Sequence, residues 1–343
     1  MDAFMKKLLT ICAITAACGT TFAQSSVQLM GTVDTYLGSM RVAGDAARKT
    51  VVNSGGMTTS WFGFKGSEDL GGGLKANFGL TSFIQVDSGA QGRFTGDTFF
   101  SRDANVGLSG GFGSFSLGRG LAPNFLPTVI FNPFGDSFTF APLVLHANVP
   151  LFNGTGWTAT TPADTGWSNA LIYSTPNLSG FSANVHYQFG EQANDNGKKN
   201  IGFNAMYFAG PLALTGFYEA AQIGNPALPN APLAATKKDW MLGGSYDMTV
   251  AKAYLTHGQA KAENSAAKTS TTSVGVGVPM GAGKVLAGLA RTTVSGGNTR
   301  TTSTVGYDYN FSKSTDMYAM LMNDKITNFN TGNSVAVGIR KKF

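Results

Sequence analysis

STVGYDYNF, residues 303–311, alternates without a fault. Val305, Tyr307, Tyr309 and Phe311 fall on one side of an extended chain, and Thr304, Gly306, Asp308 and Asn310 on the other. Successive side chains of a strand point to opposite faces, so this strand separates an apolar phase from a wet one. The apolar phase is either a protein core or lipid, and that choice decides the fold.

The pattern recurs along the chain. GFSANVHYQFG sets Phe181, Ala183, Val185, Tyr187 and Phe189 against Ser182, Asn184, His186 and Gln188. SVAVGIRKKF sets Val335, Val337, Ile339 and Phe343 against Ser334, Gly338, Arg340 and Lys342. VQLMGTVDTYLG opposes Val27, Leu29, Val33 and Leu37 to Gln28, Thr32 and Asp34. Sixteen such segments are expected, at 27–38, 58–67, 73–87, 98–109, 113–119, 167–175, 180–190, 199–208, 211–221, 236–248, 250–260, 269–279, 284–294, 300–311, 314–324 and 333–343. Short connections such as TPNLSG, AGP and DMTV alternate with long ones, the longest at 120–166. This is the sequence pattern of an up-and-down meander.

Composition chooses between core and lipid. Only 13% of the 343 residues are charged, against about 25% in typical soluble domains. The polar faces carry Ser, Thr, Asn and Gly rather than charge. Aromatics gather near strand ends: Trp167 with Tyr173, Tyr187 with Phe189, Trp240 with Tyr246, Tyr307 with Phe311. That distribution fits the aromatic girdles around a lipid-facing band. Strands of about ten residues, tilted, span a bilayer, and closure removes the sheet edges that lipid does not tolerate. The predicted fold is all-β: a transmembrane antiparallel up-and-down β-barrel of sixteen strands. A barrel of that size encloses an aqueous channel, so Asp308 and Asn310 are expected to face pore water.

The N-terminus reads as an export signal over residues 1–23, cleaved to leave an outer-membrane barrel domain of 24–343. Lys6 and Lys7 supply the basic region, Leu8 to Ala17 the apolar core, and TFAQ a small-x-small site after Ala23. Ten apolar residues are too few for a membrane helix. Both cysteines, Cys12 and Cys18, lie within this signal, so the mature chain is expected to hold neither disulfides nor cysteine-ligated metal. Its net charge of +5 is too mild and too dispersed for nucleic acid.

Three stretches resemble Gram-negative general porins of the β-proteobacterial type: SWFGFKGSEDLGGGLKANFGL (60–80), FSRDANVGLSGGFGSFSLGRG (100–120) and the terminal VAVGIRKKF. The resemblance implies a homotrimer of sixteen-stranded barrels in the outer membrane, built there by the barrel assembly machinery. It implies a third extracellular loop folded inward, here 120–166, whose FNPFGDSF is similar to the family's loop tip and carries Phe134 and Asp136. A surface loop or subunit latch is the alternative reading. The terminal Phe343 resembles the family's insertion signal. In the family, the Arg of the Ser-Arg segment points into the lumen, which places Arg102 at the constriction. That placement conflicts with SRDANVGLS read by pattern alone, where Ala104, Val106 and Leu108 should face lipid. The resemblance instead turns the face of Asp103 and Asn105 toward a subunit interface.

The sequence also departs from the family. Trp61 stands where many relatives carry Arg in the second strand, and Ile172 where many carry a basic residue before Tyr173. By alternation Trp61, Gly63 and Lys65 face inward, which makes Lys65 a partial substitute lower in the pore. Rings of charge at a constriction set ion preference. Arg102 and Lys65, facing a loop whose only acid before position 150 is Asp136, favour anions weakly, while Asp34 and Asp308 on the inward face temper this.

The expected function is therefore passive diffusion of ions and small hydrophilic solutes, with no cofactor implied. A second reading is a substrate-selective porin, with Trp61, Phe134 and Ile172 forming a slide for an apolar or aromatic anion. A barrel enzyme has little support. The chain has three histidines, His146, His186 and His257, with no nucleophile motif, metal spacing or phosphate loop around them. An adhesin would need longer loops.

Overall fold

A computed structural model describes residues 25–147, 165–191, 193, 197–224 and 232–343. The export signal read at 1–23, and residues 148–164 of the long connection, lie outside them.

Sixteen strands form one continuous antiparallel ladder. In chain order they are β1 (Ser25–Met40), β2 (Trp61–Gly71), β3 (Leu74–Gln85), β4 (Asp103–Gly110), β5 (Gly113–Leu121), β6 (Gly166–Ser174), β7 (Phe181–Phe189), β8 (Lys199–Ala209), β9 (Leu212–Ile223), β10 (Pro232–Asp247), β11 (Lys252–Ala262), β12 (Lys268–Met280), β13 (Gly283–Val294), β14 (Thr299–Asn310), β15 (Thr315–Ile326) and β16 (Gly332–Lys342). Two short strands, Lys49–Ser54 and Ala90–Gln91, belong to the connections. The first extends the wall beside the upper half of β1, from Thr35 opposite Ser54 to Met40 opposite Lys49.

β1 closes the ring. Its first half pairs with β2, from Ser25 opposite Glu68 to Thr32 opposite Trp61. Its second half pairs with β16, from Thr32 opposite Lys342 to Ser39 opposite Val335. Phe343 completes the seam: its N–H donates to the Gly31 carbonyl and its carbonyl accepts from the Gly31 N–H, both at 3.0 Å. No sheet edge is left open at this seam, as hydrocarbon requires. The two-residue turns 72–73, 111–112, 210–211 and 281–282 share one end of the barrel, the periplasmic end in outer-membrane barrels.

The alternation holds. Val27, Leu29, Phe64, Phe78, Val185, Phe203, Leu242, Leu255, Val305, Leu321 and Val337 all stand exposed on the outer face. β4 obeys the same rule and corrects the expectation taken from the resemblance. Val106 and Leu108 are 60% and 45% exposed to the outside. Asp103 and Asn105 face inward, where Thr81 Oγ1 donates to Asp103 and Asn105 Nδ2 donates to the Arg119 carbonyl. Arg102 also reaches inward because it precedes the first residue of β4 and is not bound by the strand's alternation.

The interior holds more protein than a water-filled cylinder would. Residues 122–147 include two short helices, α1 (Phe125–Ile130) and α2 (Pro142–Ala147), and pack against inward side chains. Phe134, Phe140, Val144 and Leu145 join Tyr36, Tyr318, Met320 and Met322 in one apolar cluster. The loop tip touches the wall closely. A Cβ on Gly275 would lie 2.5 Å from Pro133 Cδ, and one on Gly288 would lie 3.0 Å from the Phe134 ring. Glycine at these positions lets the Pro133–Phe134 turn seat on bare backbone.

Candidate functional site: the barrel interior

Among the polar clusters of the described interior, three bear on the loop and on the residues singled out from sequence. The first joins β2, β3 and the entry to β4. Arg102 Nη1 donates to Asp103 Oδ2 at 2.8 Å, and Lys65 Nζ lies 3.8 Å from the same oxygen. The Arg102 guanidinium carbon sits 4.1 Å from the centroid of the Trp61 ring. Two cations thus share one carboxylate, and the side chain of Lys65 remains 47% exposed.

The second cluster joins β14, β15 and β16 to the loop. Arg340 Nε donates to Asp316 Oδ1 at 3.1 Å, Nη2 to Asp308 at 3.3 Å and Nη1 to Thr58 Oγ1 at 2.9 Å. Thr58 in turn donates to Asp136 Oδ1 at 2.9 Å. Enclosure between loop and wall pushes the Asp136 carboxyl up, against the pull of Thr58 and Arg340. The loop's acid is therefore a wall contact. Asp34, expected to face water, is buried. It accepts from the backbone N–H groups of Gly56, Met57 and Thr58 and from the Tyr318 hydroxyl, so it shapes the turn that presents Thr58. Asp308 is likewise half-buried on Arg340.

The third cluster pins α2. His146 Nδ1 lies 2.8 Å from Thr292 Oγ1 and Nε2 lies 2.7 Å from Thr302 Oγ1. Beside it Arg300 forms a buried ion pair with Asp324, at 2.7 and 3.0 Å, and donates to the Leu145 carbonyl.

The residues singled out from sequence do not form one surface. Trp61, Arg102 and Lys65 come together. Phe134 is buried in the loop's apolar cluster, and Ile172 packs on Trp167, Ala170 and Ala122. The slide for an apolar anion therefore has no continuous wall. Trp167 is a fully buried inward residue beside His186 rather than part of an aromatic girdle. Arg340 was the missed residue. Its alternation opposite Ile339 marked it as inward, but no motif singled it out.

A closed sixteen-stranded barrel with a lipid-facing outer band and a charged, partly plugged interior is the architecture of an outer-membrane diffusion channel. The chain belongs to the Gram-negative porin family, whose family model matches residues 9–328. It is similar to outer membrane porin protein 32 of Delftia acidovorans, 33% identical over 334 residues that cover 92% of this chain and 89% of the relative. An outer membrane porin protein of Bordetella pertussis is 27% identical, covering 99% of this chain and 100% of the relative. Among solved structures, the anion-selective porin from Comamonas acidovorans superimposes with a TM-score of 0.79 at 28% identity, over 93% of this chain and 100% of that one. The trimer form of OmpT from Vibrio cholerae, at 16% identity and a TM-score of 0.66 over 93% of this chain and 99% of that one, shares the fold. The protein is a multi-pass β-barrel of the outer membrane and a channel rather than an enzyme.

Proposed function

We propose that this porin passes small hydrophilic solutes and ions with a weak preference for anions. The observation that carries this reading is the charge balance of the first cluster: Lys65 and Arg102 share the single acid Asp103, which leaves one uncompensated positive charge. The second cluster adds no positive charge and tempers the preference, since two carboxylates, Asp308 and Asp316, lie on the single cation Arg340. Support also comes from the anion-selective porin among the similar structures. On this reading Trp61, Arg102 and Lys65 line the narrowest passage, and the loop 122–147 fixes its width from the opposite side. Phe134 and Asp136 act as the loop's anchors, and Ile172 as neutral wall.

The same proposal includes a homotrimer, export by the 1–23 segment, and recognition of Phe343 by the barrel assembly machinery. The reversal potential in a KCl gradient tests the central claim. A chloride-to-potassium permeability ratio above one supports it, and a ratio at or below one rejects it.

A further inference from the structure

We infer that Arg119 is a positioning residue for ion preference: it holds the peptide bond from which Arg102 departs, and so sets where the Arg102 charge stands in the pore. The inference rests on the anion reading above and adds a residue to the same site. Arg102 precedes β4, so the strand's alternation does not fix its direction. Its backbone is fixed another way. Arg119 Nε donates to the Ser101 carbonyl at 2.6 Å, and the Arg102 N–H donates to the Thr81 carbonyl at 3.2 Å. These are the two ends of one planar peptide unit. With both ends held, the plane does not turn, and Arg102 keeps its aim toward Trp61 and Asp103.

Arg119 is itself locked in place. Its Nη1 donates to the Gly166 carbonyl at 3.2 Å and to Ser168 Oγ at 3.0 Å. The guanidinium thus ties β5 to the entry of β4 on one side and to β6 on the other. A rigid planar fork of donors spans such a spread, and a single ammonium does not. Two local features accommodate it. Gly118 and Gly120 of β5 are two residues apart, while their partners on β6, Ala170 and Trp167, are three apart. This is a bulge in β6, with Asn169 at a φ of 50°. Bulges re-aim side chains, and this one brings Ser168 to the guanidinium. Gly166 supplies the space, since a Cβ there would lie 2.9 Å from Arg119 Nη2.

Arg119 stands opposite Ala104 and in phase with the outward Leu117, and it is buried. A permeating ion does not meet it directly. Its effect on permeation therefore passes through Arg102.

The test is a double-mutant cycle, read as reversal potential in a KCl gradient at low salt. Arg119→Met leaves an apolar chain with no donor, which frees the Ser101–Arg102 peptide to turn and lets the Arg102 cation recede from the ion path. Doubling an ion's distance from a charge halves their Coulomb energy. On a logarithmic scale, Arg119→Met should therefore lose about half of the chloride preference that Arg102→Ala loses. The double variant Arg102→Ala/Arg119→Met should match Arg102→Ala alone, because no cation is left to position. Arg119→Lys keeps the charge without the fork and should lose less than Arg119→Met. It carries the test by itself if Arg119→Met does not insert.

An unmoved reversal potential in both Arg119 variants overturns the inference. Additive losses in the double variant would assign the effect to the charge of Arg119 itself and overturn it too. So would a wild-type potential in Arg119→Lys beside a loss in Arg119→Met, or a potential that Arg102→Ala leaves unmoved. A wild-type chloride-to-potassium ratio at or below one rejects the anion reading instead; the cycle, which compares variants with one another, still measures the coupling of Arg119 to Arg102.

Discussion

The Arg102 guanidinium stacks on the indole of Trp61, 4.1 Å from the ring centroid. The same guanidinium is tied at 2.8 Å to Asp103, which also holds Lys65 at 3.8 Å. Stacking and ion pairing fix the cation's position, so a passing ion meets a charge already in place. Cation–π contacts contribute on the order of 0.5–2 kcal/mol as desolvation increases.

Ion preference should follow the charge count at this cluster. Arg102→Ala should lower the chloride-to-potassium permeability ratio, and Asp103→Asn should raise it by freeing both cations. Trp61→Arg should also raise it, whereas Trp61→Ala should raise conductance with little change in preference. One uncompensated charge at about 4 Å is worth on the order of 1 kcal/mol in water, a several-fold ratio. At 1 M salt, where the screening length is about 3 Å, the ratio should approach one. An unmoved reversal potential for Arg102→Ala at low salt would place the charge outside the ion path.

The outer face makes a separate prediction about stability. Val185 and Val337 are exposed on the lipid side. Arginine at either should cost about 2–4 kcal/mol near the bilayer midplane, read by urea unfolding in lipid. Arginine at half-buried, inward Ser182 should cost much less. Ser334 is not a fair inward control, since its hydroxyl bonds the Arg41 backbone in both directions. Equal costs at Val185 and Ser182 would reject the face assignment.

The wall was legible because lipid imposes a two-residue period on every strand. All sixteen expected segments correspond to strands, and even β4 obeyed the period when the resemblance argued otherwise. The interior was harder to read, because no period governs a loop. One sign was present in TDMYAMLMNDKI, where Met317, Ala319 and Leu321 take one face and Tyr318, Met320 and Met322 the other. A strand apolar on both faces is buried on both. The inner face of β15 indeed lies under Phe134 and Phe140. The roles of Asp34 and Asp136 were not legible, because alternation gives a side chain's direction and not its partner.

Thr58 links loop to wall by accepting from Arg340 and donating to Asp136. Thr58→Val removes both bonds and leaves a half-buried carboxyl without its hydroxyl donor. Such losses cost about 1–3 kcal/mol. Loop closures, seen as current noise in single-channel records, should become more frequent while the barrel's thermal unfolding changes little. Quiet records from the variant would mean that the apolar contacts of Phe134 and Phe140 hold the loop unaided.

Phe343 contributes two backbone hydrogen bonds at the ring's seam, both to Gly31. Deleting it should lower the amount of protein inserted in the outer membrane while leaving export past the inner membrane intact. Fractionation followed by surface labelling measures both. A normal surface level would reject the role of the terminal aromatic in insertion.

The last prediction concerns pH and rests on a proton count around His146. Asp324 is ion-paired with Arg300 and accepts the Thr302 hydroxyl at 2.6 Å. The Thr302 proton is therefore committed, and Thr302 can only accept from His146. This fixes the hydrogen on Nε2 and leaves Nδ1 to accept from Thr292, whose oxygen lies 2.7 Å from that of Thr271. A second ring proton would force the Thr292 hydroxyl to turn away. Burial and the nearby Arg300 hold the imidazole well below its ordinary range, and Asp324 opposes them only in part. A loop released from the wall regains an ordinary histidine, with a pKa of about 6.5. Below that pH the released form takes up a proton that the docked form refuses. Docking is thus at full strength above about pH 6.5 and weakens as pH falls toward the docked value, by at most about 1.4 kcal/mol per unit. Single-channel closures should therefore increase between pH 7.5 and pH 5 in the wild type. In His146→Gln, which can still bridge Thr292 and Thr302, the closure rate should lose this dependence. A variant that keeps the wild-type pH profile would assign the effect to another titrating group.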